Sequence, residues 1–368
     1  MKILIAGGGT GGHLMPALAL ARAAADAGHE PVLVGAVRGI EAQILPRHQF
    51  RFHLLPMEPL YRRTWWRNLR WPLIALRAWR ATGRVLADEK PAIVIGTGGY
   101  AAGPLLWRAQ RAGIPTALQE QNAFPGLTTR LLARRARQVH LGFPEARARI
   151  TPGARTEIFD LGNPIAPPPG KPDASAASAA RAARAEFGFM VERPTVLVVG
   201  GSQGARALNE TLAAALERGW FDDVNVLWGT GAAHAARYAP LAVPNRVAVR
   251  GFFDPIAPAY AAADLVVARA GAMTVAELCA WGKASVLVPL PTAAADHQTF
   301  NARALADAGA AVLLVERDLT PDAFGQTVTS LARDRARLDA LGTAARRRGH
   351  PDAARAIMSK VLTLAKMD

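Results

Sequence analysis

Apolar runs of strand length alternate along the chain with longer stretches in which apolar residues recur at helical spacing. In the first half the strand candidates are Lys2–Ala6, Pro31–Val34, Ala92–Ile95, Thr116–Gln119 and Gln138–Leu141. Several are apolar throughout, as expected for a parallel sheet covered on both faces. Leu14, Ala17, Leu18, Ala21, Ala24 and Ala25 follow the first strand at helical intervals. Alternating strands and helices predict an α/β doubly wound domain, in which ligands bind beyond the carboxyl ends of the strands.

Glycine turns fall at those ends. Gly7–Gly12 and then His13 follow the first strand, and Gly96-Thr97-Gly98-Gly99-Tyr100 follows Ala92–Ile95. Gln119-Glu120-Gln121-Asn122 closes the next strand. Three loops on one rim exceed what chain reversal needs. A strand, a glycine turn and a helix N-terminus together form an anion site, because unpaired amides and the helix dipole point at the same place.

Ile165–Ala185 contains Ala166-Pro167-Pro168-Pro169-Gly170-Lys171-Pro172, which fits neither helix nor central strand. Beyond it the pattern restarts. Thr195–Val199 is a strand, Gly200-Gly201-Ser202-Gln203-Gly204-Ala205 a second glycine turn, and a helix begins near Arg206. Val224–Trp228, Arg246–Arg250, Leu265–Ala268, Ser285–Pro289 and Ala311–Val315 are the later strands. The two halves therefore read as similar α/β domains with anion sites facing a cleft. A length of 368 residues also favours two domains.

Composition adds a partner class. The formal charge of +15 calls for an anionic partner, or reflects an Arg- and Ala-rich bias. One cysteine, Cys279, excludes an internal disulfide and a cysteine-based zinc site. Tyr61–Arg84 carries arginines at 62, 63, 67, 70, 77, 80 and 84 and tryptophans at 65, 66, 71 and 79, with no acid. A basic, Trp-bearing amphipathic helix suits an anionic membrane surface; a core-facing helix with a solvated arginine face is the plainer reading. Nothing else resembles a nucleic-acid module. The uncharged stretch Pro91–Trp107 is shorter than the ~20 residues of a membrane span. No leader precedes the first strand, so a cytoplasmic location is expected.

Further residues have two readings each. Asp254-Pro255 reads as a helix start, leaving Phe253 in a loop. Arg269-Ala270-Gly271-Ala272-Met273-Thr274-Val275-Ala276-Glu277 runs from strand to helix. Thr274 and Glu277 have capping-box spacing, while a carboxylate there also suits ribose hydroxyls. Asp296-His297-Gln298 opens a helix, as a plain N-cap or as polar groups on the rim. Gly7-x-Gly9-x-x-Gly12 matches a dinucleotide fingerprint. Yet Pro31–Arg38 lacks the acid that fingerprint needs at the end of its second strand.

Read together and in order, Gly7–His13, Gly98-Gly99-Tyr100-x-x-Gly103-Pro104, Glu120-Gln121-Asn122, Gly162-Asn163-Pro164, Gly200–Ala205, Arg269-x-Gly271-Ala272-x-Thr274-x-x-Glu277 and Asp296-His297-Gln298-x-x-Asn301-Ala302 span nearly the whole chain. They resemble the MurG family, the UDP-N-acetylglucosamine:N-acetylmuramyl-(pentapeptide)-pyrophosphoryl-undecaprenol N-acetylglucosaminyltransferases. The resemblance implies a GT-B fold, two Rossmann-like domains facing a central cleft, with no cofactor and no metal. It implies an acceptor and membrane-associating domain at 1–164 plus the C-terminal helix 351–368, a linker at 165–185 and a UDP-sugar domain at 186–350. It further implies inverting transfer from UDP-N-acetylglucosamine to the 4-hydroxyl of undecaprenyl-linked muramyl-pentapeptide, on the inner leaflet of the membrane. A transferase for another lipid, or a UDP-sugar epimerase of the same fold, are the alternatives.

Carried over residue by residue, Phe253 matches the position whose backbone reads uracil, Glu277 the ribose ligand and Ser202 a diphosphate contact. Ala272, Met273, Thr274 and Gln298 match contacts to diphosphate and N-acetylglucosamine. Thr10, Gly11, Gly12 and Asn122 match sugar or acceptor contacts. His13 is the candidate general base, or alternatively a residue that only orients substrate. The chain departs from the family at Ala166, where an arginine is common; Arg269 and Arg206 are the candidate substitutes.

Overall fold

The computed structural model describes residues 1–58, 65–169, 176–201 and 204–366. The chain divides into two compact units, Met1–Ala166 with His350–Asp368, and Pro167–Gly349.

The first unit is built on seven parallel strands: β1 (Lys2–Gly7), β2 (Glu30–Ala36), β3 (Arg51–Leu55), β4 (Ile93–Gly98), β5 (Thr116–Glu120), β6 (Gln138–Leu141) and β7 (Glu157–Asp160). Their order is β3-β2-β1-β4-β5-β6-β7, so the sequence order reverses between β1 and β4. Side chains alternate across the sheet. Leu4, Ala6, Val32 and Val34 pack with Ala78, Val85, Leu105 and Leu106 on one face. Ile3, Ile5 and Leu33 pack with Leu14, Leu18, Ile357 and Val361 on the other. Burial on both faces explains the uninterrupted apolar runs.

Helices α1 (Gly11–Asp26), α2 (Trp71–Glu89), α3 (Ala102–Arg111) and α4 (Leu127–Leu132) cover this sheet. Helix α1 starts three residues before the apolar spacing predicts, because Gly11 and Gly12 are its first turn rather than part of the loop.

The second unit has six parallel strands: β8 (Thr195–Val199), β9 (Asn225–Gly229), β10 (Val247–Arg250), β11 (Leu265–Ala268), β12 (Ala284–Leu287) and β13 (Val312–Leu313). Their order is β10-β9-β8-β11-β12-β13, with the reversal between β8 and β11. Helices α5 (Arg206–Glu217), α6 (Ala257–Ala262), α7 (Ala272–Trp281) and α8 (His297–Asp307) carry the loops of interest. Within the proline-bounded stretch, Ala176–Glu186 is helical, and Arg184 pairs with Asp264 at 2.6 Å inside the second unit. The final helix α9 (Ala353–Leu362) packs on α1 in the first unit.

Candidate functional site

In the first unit the loops after β1, β4 and β5 meet around His13. The ring is placed by its position as the third residue of α1 and by the chain entering from β4. Thr97 Oγ1 donates to the His13 carbonyl at 2.7 Å. His13 Nδ1 lies 3.0 Å from Thr97 O and 3.0 Å from Gln121 Oε1. A backbone carbonyl only accepts, so Nδ1 carries the proton and Nε2 keeps its lone pair in the neutral ring. Gly98 passes beside the ring at φ +96°, and a Cβ there would come within 2.9 Å of Nδ1.

The amides of Gly11 and Gly12 open α1, whose first backbone bonds run from His13 and Leu14 to Thr10 O. A helix's first amides lack intrahelical partners. Thr10 is the exposed N-cap and makes no side-chain cap bond. The Glu120-Gln121-Asn122 segment divides its tasks. Glu120 accepts from Asn122 N at 3.1 Å, Gly126 N at 3.0 Å and Thr129 Oγ1 at 2.6 Å, and so shapes the loop that presents Asn122. Gln121 turns back to His13. Glu41, fully buried, accepts from Gly9 N and holds the glycine turn; burial pushes its carboxyl up from the usual range. Sequence reasoning missed the parts played by Gln121, Thr97 and Glu41, whose only signal was a polar residue beside a strand end or in an apolar context.

In the second unit α7 begins at Ala272 with Gly271 as N-cap. Thr274 is therefore the third helical residue, and Thr274 and Glu277 do not form a capping box. The amides of Ala272, Met273 and Thr274 head the helix, and Val275 N makes the bond to Gly271 O. Glu277 lies one turn further in and accepts from Tyr260 OH at 3.0 Å. Burial pushes the Glu277 carboxyl up, and the Tyr260 hydrogen bond offsets part of that rise. Tyr260 is pushed well above its ordinary value by burial and by Glu277.

The other second-unit residues are placed as follows. Phe253 is in a loop, but not because a helix starts at Asp254: α6 begins at Ala257, and Asp254–Pro255 is a cis peptide in the bend before it. The Phe253 side chain is buried edge-on against Phe187, 6.0 Å between centroids, so it anchors the loop. Gln298 Oε1 accepts from Leu290 N at 2.9 Å, leaving its Nε2 as the remaining donor group. Asp296 precedes α8 in the left-handed region and accepts from Thr299 Oγ1 at 2.6 Å rather than capping a backbone amide. Ser202 and Gln203 lie outside the described residues. Arg269 is not available to replace the family arginine. It is buried, donates to Val288 O at 3.2 Å and Pro289 O at 3.1 Å, and pairs with Glu316. Arg206 is exposed and pairs with Glu210 at 2.9 Å on its own helix. Among the described residues no group of three or more His, Cys, Asp or Glu side chains is placed to hold a metal ion.

A separate apolar surface lies on the first unit. The start of the basic, Trp-rich stretch, residues 61–64, is outside the described residues. The rest leads into α2, where a cavity of about 790 Å³ is lined by Trp71, Leu76, Trp79, Trp107, Leu127 and Leu131, among others. Leu127 and Leu131 of that lining are 62% and 67% exposed, and Leu69, just before α2, and Leu73, in its first turn, are 75% and 62% exposed. Arg108 stacks on Trp79 at 4.2 Å, and Arg111 on Trp107 at 4.7 Å. No helix among the described residues is long and apolar enough to cross a membrane.

Comparison with known proteins gives a consistent result. The glycosyltransferase family 28 N-terminal domain matches residues 3–141, and the family 28 C-terminal domain matches residues 195–357. The UDP-N-acetylglucosamine–N-acetylmuramyl-(pentapeptide) pyrophosphoryl-undecaprenol N-acetylglucosamine transferase of Chlorobaculum parvum is 41% identical, covering 100% of both chains. The protein of the same name from Moorella thermoacetica is 39% identical over 98% of each chain. The crystal structure of Acinetobacter baumannii MurG superposes with a TM-score of 0.77 at 30% identity, covering 98% of this chain and 99% of that one.

Proposed function

The chain belongs to the MurG family of N-acetylglucosamine transferases within glycosyltransferase family 28, and from that premise we propose how its residues divide the reaction. The enzyme transfers N-acetylglucosamine from UDP-N-acetylglucosamine to undecaprenyl-diphosphate-linked muramyl-pentapeptide, turning lipid I into lipid II in peptidoglycan synthesis. The epimerase alternative has only fold likeness behind it, a Listeria monocytogenes putative UDP-N-acetylglucosamine 2-epimerase at 14% identity.

The first unit takes the acceptor and the second the sugar nucleotide. In the second unit Glu277 accepts the ribose hydroxyls, held for that task by Tyr260. The Phe253 loop backbone reads the uracil. Amides of Ala272, Met273 and Thr274, together with Ser202, meet the diphosphate, where a helix N-terminus stabilises the charge that develops on departing UDP. Gln298 Nε2 donates to the sugar. In the first unit Thr10, Gly11, Gly12 and Asn122 contact the acceptor.

His13 is the general base. The observation that carries this role is the bond of Nδ1 to Thr97 O, which leaves Nε2 as the proton acceptor. Nε2 takes the proton of the muramyl 4-hydroxyl as its oxygen attacks the anomeric carbon. The bond from that carbon to the diphosphate oxygen breaks with its electron pair on UDP, and the configuration inverts. General base catalysis contributes typically ~10²–10⁴-fold.

The exposed leucines and stacked arginines around α2, α3 and α4 support peripheral binding to an anionic membrane surface, on the face where the lipid acceptor's head group lies. Acceptor dependence tests the reading: UDP release should require the muramyl lipid, whereas UDP release or C2 epimerisation with the sugar nucleotide alone would contradict it.

A further inference from the structure

Two motifs, Glu120-Gln121-Asn122 and Gly162-Asn163-Pro164, contain buried amides with no part yet in the reaction. Gln119, Gln121 and Asn163 are 1–2% exposed. Gln121 Nε2 donates to Thr97 O at 2.7 Å and to Gln119 O at 2.9 Å. Both are backbone carbonyls, so the amide cannot be turned around without opposing oxygen to oxygen. Its Oε1 is thereby fixed on the His13 side, 3.0 Å from Nδ1. Asn163 supports this arrangement from the segment that follows β7. Its Nδ2 donates to Gln121 O at 2.9 Å, and its Oδ1 accepts from Gln119 Nε2 at 2.9 Å. Gly142 lacks the Cβ that would occupy the place of the Asn163 amide.

We propose that Gln121 is a positioning residue for the transfer reaction, with Asn163 and Gln119 as its supports. Its Oε1 shares the Nδ1 proton of His13 with Thr97 O, locks the ring in one tautomer and orientation, and stabilises the imidazolium formed when Nε2 takes the acceptor proton. The inference rests on the reading of His13 as base. Buried polar networks with every member satisfied hold a single geometry, and a catalytic group must be held closely for its full effect. The carboxylates on the neighbouring loops are directed elsewhere, Glu41 to Gly9 N and Glu120 to Asn122 N, Gly126 N and Thr129 Oγ1. A neutral amide thus takes the place that a carboxylate occupies in many His-based sites. It orients the base without setting an anion beside a substrate that carries a diphosphate.

Two variants and two readouts test this. In Gln121→Glu an anion faces Nδ1 and favours imidazolium. The midpoint of the His13 ¹⁵N resonances, assigned by their absence from His13→Gln, should rise by about one pH unit or more. The acidic limb of the kcat profile should rise with it. In Gln121→Met the ring loses one of its two acceptors. There kcat should fall about 10–100-fold with KM for UDP-N-acetylglucosamine unchanged, and the His13 signals should show mixed tautomers. This second variant keeps the test open if Gln121→Glu does not fold. A His13 midpoint and tautomer identical to wild type in the folded variants would overturn the proposal. Resonances that respond while the kcat profile stays fixed would leave Gln121 as the ring's partner and remove His13 from the base role, so the two failures are distinguishable.

Discussion

His13 Nδ1 lies 3.0 Å from the carbonyl oxygen of Thr97, a residue 84 positions away that arrives on the neighbouring strand β4. With Gln121 Oε1 at the same distance, that contact sets the protonation pattern of the ring, and it exists because β1 and β4 are adjacent at the point where the sheet order reverses. The ring also needs an open flank. Gly98 supplies it with a positive φ and a hypothetical Cβ only 2.9 Å from Nδ1. Gly98→Ala should lower kcat about 100-fold by displacing the ring, since a misplacement of ~1 Å has that effect. It should leave UDP affinity, which the proposed function assigns to the second unit, at the wild-type value. Turnover assays and calorimetry on one preparation check both halves.

In the proposed reading Glu277 serves binding at the expense of stability. Its folded value is raised by burial. Such a group contributes stability that is fully present below its unfolded value and lost as pH rises through the folded one. At neutral pH the ionised carboxylate is therefore a net cost to the fold. Glu277→Gln, which can still accept from Tyr260, should melt at or above the wild-type temperature at neutral pH, with the difference closing in acid. It should bind UDP about 10–100-fold more weakly, the scale of a lost charge-assisted hydrogen bond. Thermal scans against pH and UDP calorimetry measure the two effects.

Glu89 has the opposite sign. Burial raises its carboxyl. Hydrogen bonds from His53 at 2.7 Å and Lys2 at 3.2 Å, with the Arg51 and Lys2 charges, outweigh burial and hold it below the ordinary value. Its contribution is present above the unfolded value and lost as pH falls through the folded one. Glu89→Gln should destabilise the protein by about 1–2 kcal/mol at neutral pH, the scale of lost charge-assisted hydrogen bonds, because Lys2, Arg51 and His53 keep access to water when the carboxylate is gone. The gap to wild type should narrow as pH drops below about 4.5 in urea titrations.

The sequence made the strands of the second sheet and the central strands of the first legible, and hid the two edges of the first sheet. Ile3–Ala6 and Thr195–Val199 are covered on both faces and read as continuous apolar runs. β3 and β7 carry Arg-Phe-His-Leu-Leu and Glu-Ile-Phe-Asp. They sit at the sheet edges, partly exposed, where no such run is needed. The short distance from Gly11 to His13 was readable as a turn, but not that the helix already begins there. Thr274 and Glu277 have the spacing of a capping box, yet Gly271 takes the N-cap, a choice set by backbone geometry that the spacing does not encode. Gln121 was visible as a polar residue after a strand. Its bearing on His13 depends on three strands being neighbours, as does the Glu89 cluster with Lys2, 87 residues away.

Membrane association makes a separate prediction. Arg77, Arg80 and Arg84 are exposed on α2, the helix whose Trp71, Leu76 and Trp79 line the apolar cavity. Arginines near an anionic surface contribute about 1 kcal/mol each. Replacing all three by glutamine should weaken co-sedimentation with phosphatidylglycerol vesicles about 100-fold, and added salt should weaken the wild type in the same direction. Binding that is unchanged in the triple variant would place the association elsewhere.

In the proposed reaction this chain moves N-acetylglucosamine onto the muramyl lipid with His13 as base. The direct measurement is transfer of labelled N-acetylglucosamine from its UDP donor to undecaprenyl-diphosphate-linked muramyl-pentapeptide by wild type and His13→Gln. The wild type should yield labelled disaccharide lipid, and the variant should do so at a rate at least about 100-fold lower with unchanged donor affinity. No labelled lipid from the wild type, or equal rates from the two proteins, would contradict it.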